Sequence, residues 1–431
     1  MIQKNRTDCY TDDWKRTEPD HVVYLPKTEN GSDGYADHFV VAETPEGALL
    51  AIWTQSAAEG TRDSRVVFSR SLDGGEIWPE PRLLAGTEDG RGVPAMFGFP
   101  VMGPGGRIYC LYNKHKSIVD LGYRITAVLG CHYSDDDGRN WTDGGVEFGY
   151  GRTSLDHPDP KVPCNGICWQ GPVPDGSGRP LVTVTHVSSR EVFPLSAPNA
   201  WGVRNADSQG QLMRFENIDQ SPEPKDLIIR WLPGKEGQLR YPHLREPERS
   251  RGYCLFHEPS VVLLPDGRLF LQASSLSGHL IYSVSEDAEG EKWSKPLPLL
   301  YWDRGTPLQH PIAPSPFYRL EDGRYLVFFH NHDGSLHGGL GPRDMRGRRP
   351  MFVAVGEFRP EASQPIWFSE PRQLADTHGV GVGPQSLVWL AMYASLTEYK
   401  GRRIFWYPDR KHFLLGKVIS DELLADLRVP E

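Results

Sequence analysis

Apolar residues in this chain fall in short alternating runs, each introduced by a glycine-bearing turn, and rarely at helical spacing. One such pattern recurs six times. Pro45-Glu46-Gly47 leads into Ala48-Leu49-Leu50-Ala51-Ile52-Trp53, and Gly105-Gly106-Arg107 into Ile108-Tyr109-Cys110-Leu111-Tyr112. Ser177-Gly178-Arg179-Pro180 precedes Leu181-Val182-Thr183-Val184, and Pro265-Asp266-Gly267-Arg268 precedes Leu269-Phe270-Leu271. Asp322-Gly323-Arg324 opens Tyr325-Leu326-Val327-Phe328-Phe329, and Lys400-Gly401-Arg402-Arg403 opens Ile404-Phe405-Trp406-Tyr407. Each reads as a tight turn feeding a strand rich in aromatic and β-branched residues. The copies lie roughly 55 to 90 residues apart, the length of a four-stranded propeller blade with variable loops. Six copies predict an all-β chain folded as a six-bladed β-propeller.

A second repeat supports the first. Ser71-Leu72-Asp73-Gly74-Gly75-Glu76-Ile77-Trp78 and Ser134-Asp135-Asp136-Asp137-Gly138-Arg139-Asn140-Trp141 share the Asp-box pattern Ser-x-Asp-x-Gly-x-x-Trp, and Ser285 to Trp293 is a longer variant. In such a turn Asp caps main-chain amides, Gly supplies positive φ and Trp packs beneath. These aspartates are therefore structural. The one clear helix signal is near 420–427, where Ser420 can cap. No low-complexity linker divides the chain, so one domain over 1–431 is expected.

Composition narrows the function. The chain has 431 residues, 45 Gly, 37 Pro and a formal charge of −9. That charge argues against nucleic acid or an anionic membrane as partner. No run approaches the roughly 20 apolar residues of a membrane span. Met1 to Arg6 lacks the apolar core of a secretory signal. This predicts a cytoplasmic protein, or a periplasmic or secreted one if a signal precedes this sequence. The six cysteines, Cys164 and Cys168 included, read as thiols and not as a zinc site.

The chain resembles the sialidase superfamily over most of its length. His257-Glu258-Pro259-Ser260-Val261-Val262 is similar to the segment whose glutamate polarises the nucleophile, and Glu258 falls at that position. Met392-Tyr393-Ala394-Ser395-Leu396 is similar to the segment of the tyrosine nucleophile, and Tyr393 falls there. Arg348-Arg349-Pro350-Met351 resembles the stretch holding the third arginine of a carboxylate-binding triad, matched by Arg348. The resemblance implies a retaining exo-glycosidase. A phenol with an ordinary pKa near 10 is a weak nucleophile, and a neighbouring carboxylate can accept its proton. The acid/base belongs on the loop Gln55 to Arg65, where Asp63 is the choice, Glu59 the rival and Arg62 a substrate-binding neighbour.

The match breaks at the other two arginines. Asp37 or His38 stands where the first belongs, and Ser274 where the second belongs. With one arginine in place of three, carboxylate recognition weakens by several kcal/mol if each charge-assisted bond contributes roughly 1.5–3. The sugar is then expected to be a uronate, another ulosonate or a neutral residue in place of N-acetylneuraminate.

Histidines His38, His115, His257, His279, His330 and His332 can serve as sugar hydrogen-bond partners, acids or bases. A metal held by His330, His332 and His337 is a minor alternative, and the reading requires neither metal nor cofactor. Trp169, with Gln170 beside it, and Trp201 are candidate sugar platforms. Two other functions fit the same residues. One is a polysaccharide lyase acting on a uronate with Tyr393 or a histidine as base and Arg348 neutralising the carboxylate. The other is a glycan-binding propeller without turnover. In all three the partner is a glycan or oligosaccharide.

Overall fold

The computed structural model describes residues 9–87, 90–122, 125–192, 207–234, 239–242 and 255–431. Trp201 and Cys254 lie outside them. All six turn-and-strand copies become the hairpin between the first two strands of a blade. The turn glycines Gly47, Gly106, Gly178, Gly267, Gly323 and Gly401 have φ between 77° and 89°, a region open to glycine at little cost.

Blade 1 runs Tyr35–Glu43, Leu49–Ser56, Arg65–Ser71, Arg82–Ala85, and blade 2 runs Ala95–Met102, Ile108–His115, Ala127–Ser134, Thr142–Phe148. Blade 3 has a broken inner edge, Asn165–Ile167 and Val173–Pro174, against Pro180–Val187, followed by Ser208–Phe215 and Ile229–Leu232. Blade 4 is His257–Leu263, Leu269–Ser274, Ile281–Val284, Leu297–Pro298. Blade 5 is Phe317–Arg319, Tyr325–Phe329 and Met351–Phe358, with Ile366–Phe368 and Arg372–Ala375 both paired to the last. Blade 6 is Ser395–Tyr399, Arg402–Asp409, Phe413–Val418, and it is completed by His21–Tyr24 from the N-terminal end. That pairing closes the ring through main-chain hydrogen bonds, which removes an exposed strand edge.

The core is divided among the blade interfaces. Phe99, Val101, Tyr109 and Leu111 of blade 2 pack on Val182, Val184, Met213 and Phe215 of blade 3. Phe328, Met351 and Val353 of blade 5 pack on Phe405, Tyr407 and Leu415 of blade 6, and Trp53 of blade 1 packs with Trp406 of blade 6. Each blade buries both faces, so its central strands read as continuous apolar runs.

In the first Asp box, Asp73 Oδ1 accepts from Ser71 Oγ (2.8 Å) and from the Ile77 amide (2.9 Å), while Trp78 Nε1 donates to the Gly75 carbonyl at 3.0 Å. Asp136 and Asp287 cap their turns in the same way. These turns join third to fourth strands, at the end of the ring opposite the mouth. A helical turn spans Asp421–Leu424, and Ser420 Oγ accepts from the Leu423 amide at 3.2 Å. Among the described residues no helix is long and apolar enough to cross a membrane.

Candidate active site

The mouth is the end where inner strands begin and second strands hand over to third strands. Three inner strands are bulged there. The register shifts between Asp37 and Val40, between Met96 and Phe99, and between His257 and Ser260. His38, Phe97 and Glu258 occupy the bulges with φ of 51°, 57° and 50°, and Met392 (φ 52°) precedes the blade 6 strand. A left-handed conformation costs a non-glycine residue about 1–3 kcal/mol, and bulges re-aim side chains. The fold maintains this strain in four of its six blades, and the resulting side chains converge.

At the centre, Tyr393 Oη donates a hydrogen bond to Glu258 Oε1. Tyr393 is 5% exposed, and Glu258 is buried. Burial, then the Glu258 charge, pushes the Tyr393 phenol well above its usual pKa, against a lowering pull from Arg348. The phenol is thus neutral at physiological pH and needs a proton acceptor to attack. The Glu258 amide donates to Thr185 Oγ1 at 2.7 Å, which fixes the bulge from blade 3. His257 Nε2 lies 3.6 Å from Glu258 Oε1.

Aromatic rings frame the phenol. His38 meets it edge-on at 4.9 Å between centroids, and Trp169 does so at 6.1 Å. Phe97 packs against the other side of His38 at 3.9 Å, and Thr54 Oγ1 bonds His38 Nδ1 at 3.1 Å. Trp169 is buried against Tyr393, so its ring packs beside the phenol and is not an exposed sugar platform.

Asp37 is 0% exposed and pairs with Lys411 Nζ at 3.1 Å. The same Nζ lies 2.9 Å from Glu59 Oε1 and 5.2 Å from the Tyr393 ring centroid. Tyr35 Oη donates to Asp37 Oδ2 at 3.0 Å. Burial raises the Asp37 pKa, with Lys411 opposing. Lys411 sits in the tight turn between the second and third strands of blade 6, where Arg410 and Lys411 both have φ of 54°. Its carbonyl accepts from the Ala36 amide at 2.9 Å, binding blade 6 to blade 1. Lys411 is inconspicuous in the sequence. The available signal was four polar residues, Asp409 to His412, between two strongly apolar runs, which marks a hairpin turn at the mouth.

Arg348 is buried and donates through Nε and Nη2 to the Ile312 carbonyl at 2.9 and 2.6 Å. Its charge bears on Tyr393, His257, His310 and His330, which places it within the cluster.

The remaining candidates sit further out or serve the scaffold. Asp63 is half-buried, and its Oδ2 accepts from the Ala57 amide at 2.8 Å, closing its own loop. Arg62 is exposed and close enough to His115 for its charge to lower that histidine's pKa, after burial. His115 is buried, with Nδ1 at 3.2 Å from the Thr126 carbonyl. Gln170 is buried and joins three inner strands. It accepts from the Val261 amide at 3.2 Å and donates to the Phe317 carbonyl at 3.4 Å. His279 lies 2.9 Å from the Leu280 carbonyl and 6.3 Å from the Tyr241 ring. His330 is buried and donates from Nδ1 to the Pro350 carbonyl at 2.9 Å, stacked 5.2 Å from His310.

His337 is exposed whereas His330 and His332 are buried, and these three do not form a group with metal-ligand spacing. Among the described residues the group with metal-ligand spacing is Asp156, Cys164 and His186 in blade 3. There His186 bridges Asp156 Oδ1 at 2.8 Å and Gln211 Oε1 at 2.7 Å, a hydrogen-bonded buried network. Cys9, Cys110, Cys131, Cys164 and Cys168 are free thiols.

The model of the BNR repeat-like domain matches residues 47–409. Among solved structures, a Hadza microbial sialidase, Hz136, is 14% identical with a TM-score of 0.56, covering 91% of this chain and 67% of its own. A protein of unknown function from Dyadobacter fermentans is 14% identical with a TM-score of 0.57, covering 93% and 96%. The NanB sialidase of Streptococcus pneumoniae is 11% identical with a TM-score of 0.55, covering 93% and 70%. At these identities the likeness is one of fold. No curated protein matches the sequence.

Proposed function

This chain belongs to the BNR repeat-like family of sialidase-like propellers, and we propose that it is a retaining exo-glycosidase that removes a terminal sugar through Tyr393. The observation that carries the reading is the buried hydrogen bond from Tyr393 Oη to Glu258, made by the bulged inner strand of blade 4 and the segment that leads into the inner strand of blade 6. In the proposed first step Tyr393 Oη attacks the anomeric carbon while its proton passes to Glu258. The glycosidic C–O bond breaks, and Asp63 protonates the departing oxygen. Water then attacks the glycosyl-tyrosine and gives its proton to Asp63, and Glu258 returns the first proton to Tyr393. A neutral phenol suits this site. Asp37, Glu59 and Glu258 already bring three carboxylates, so a fourth ionised oxygen as nucleophile would add repulsion.

Purified protein incubated with a broad panel of aryl glycosides tests the reading. The expected result is release of a terminal sugar by the native chain and at least a ~10³-fold loss in Tyr393→Phe with the melting temperature retained. Full activity in Tyr393→Phe overturns it. An unsaturated, ultraviolet-absorbing product from a polyuronate would favour elimination instead.

A further inference from the structure

We infer that the sugar this site accepts is uncharged and docks through its hydroxyl groups, with Asp37 and Lys411 setting that preference. The inference rests on the glycosidase reading for its location, since it concerns the surroundings of Tyr393. It begins with the charges on that cluster. Asp37, Glu59 and Glu258 supply three formal negative charges, and Lys411 and Arg348 two positive ones, a balance of −1. Both cations are already engaged. Lys411 is buried between Asp37 at 3.1 Å and Glu59 at 2.9 Å, so two carboxylates neutralise it. Arg348 points Nε and Nη2, one edge of its fork, at the Ile312 carbonyl. A carboxylate is held best by two parallel donors of one guanidinium, and that edge is occupied. A sugar carboxylate arriving here loses its water and faces Asp37 and Glu258 at close range, in a setting where like charges repel far more than in solvent.

Hydroxyl groups meet the opposite situation. Asp37 Oδ1, Glu258 Oε2 and His257 Nδ1 are buried and find no hydrogen-bond partner among the described residues. A buried carboxylate oxygen left without a donor is costly, and a native fold retains such atoms where something else supplies the donor. Sugar O–H groups are suitable donors, and ionised carboxylates are strong acceptors for them. The bulges at Asp37–Val40 and His257–Ser260 bring the Asp37 and Glu258 carboxylates close enough for their charges to act on Tyr393. The chain thus presents buried carboxylate acceptors around Tyr393, with the Nε–Nη2 edge of Arg348 turned to the Ile312 carbonyl.

The test is equilibrium titration of the native protein with matched pairs: methyl hexosides against the corresponding methyl hexuronides, together with N-acetylneuraminate. The expected result is binding of at least one neutral member with a preference of about 30-fold or more over its uronide. In Asp37→Asn that preference falls below about threefold, because the like charge has gone. Equal or tighter binding of a uronide or of N-acetylneuraminate overturns the inference, and so does failure of every sugar to bind. The native pairs decide the matter even if Asp37→Asn does not fold. Tyr393→Phe separates this claim from the one it rests on. Loss of turnover with the preference intact upholds both. Retained turnover removes the glycosidase mechanism and leaves the preference to be judged by the titration alone.

Discussion

At the residue scale, the central feature is a phenol whose proton is held tightly. Burial and the adjacent Glu258 carboxylate push the Tyr393 pKa well above its usual value. Glu258→Gln is therefore expected to cut turnover by about 10²–10⁴-fold while the protein still folds, because the neutral amide cannot take the proton. Steady-state rates alongside a melting curve check this, and unchanged rates would count against proton transfer to Glu258. The acid can be assigned by leaving group. Asp63→Asn should lose most activity on alkyl glycosides and keep it on dinitrophenyl glycosides, whose leaving group needs no proton, while Glu59→Gln behaves alike on both. The reverse pattern would make Glu59 the acid. Tyr393 and Glu258 were legible because the segments around them carry a recognisable pattern. Lys411 was not, since a lysine in a charged turn looks solvated until the ring closes over it. Gln170 and His330 stood out as substrate-binding candidates, but the bonds of Gln170 to main chain in blades 4 and 5, and that of His330 to the Pro350 carbonyl within blade 5, depend on contacts the sequence does not display.

At the scale of elements, the six inner hairpins could be read because a positive-φ glycine and a run buried on both faces coincide in each. The outer strands could not. Leu297–Pro298 and Val173–Pro174 are two residues long and carry no period to detect. The bulges were also hidden, since nothing in Asp37-His38-Phe39 or His257-Glu258-Pro259 announces a left-handed residue. Two elements give sharp tests. In the first Asp box Gly75 has φ of 89°, and a Cβ there would stand 2.5 Å from Trp406 Cη2. Gly75→Ala should destabilise by about 2–4 kcal/mol through strain and overpacking, read as a shift in denaturation midpoint. The closing strand His21–Tyr24 is the second. His21 Nδ1 lies 3.1 Å from the Gly75 carbonyl, so the strand links blade 6 to the blade 1 box. Removing residues 1–25 should expose the Phe413–Val418 edge, lower the melting temperature and promote association. Unchanged stability and a monodisperse truncated protein would contradict that role for the strand.

For the whole molecule, the ring spreads its core over six blade interfaces and holds several histidines neutral inside. Burial brings His310 down to about 3 and His412 down to about 4, and His330 well below its ordinary value. The sign follows from linkage. These folded-state values lie below the unfolded value near 6.5, so the unfolded chain takes up protons first as pH falls. Their contribution is fully present above about pH 6.5 and is lost on acidification towards the folded values. Between pH 7 and pH 5 each can cost up to about 2 kcal/mol of stability. Denaturant midpoints at the two pH values should therefore fall together with pH, and constant or rising stability would show that these rings are not held neutral. The six-bladed architecture was readable from repeats alone. The sugar was not, because the proposed specificity depends on which charges already neutralise one another. The proposed mechanism depends on one bond, between the sugar and Tyr393. Incubation of the native protein with a fluorinated glycosyl fluoride that traps the covalent intermediate, followed by peptide mass analysis, tests it most directly. The expected result is a single glycosyl adduct on the peptide containing Tyr393. Turnover of glycosides with no adduct there, or an adduct on another residue, would contradict it.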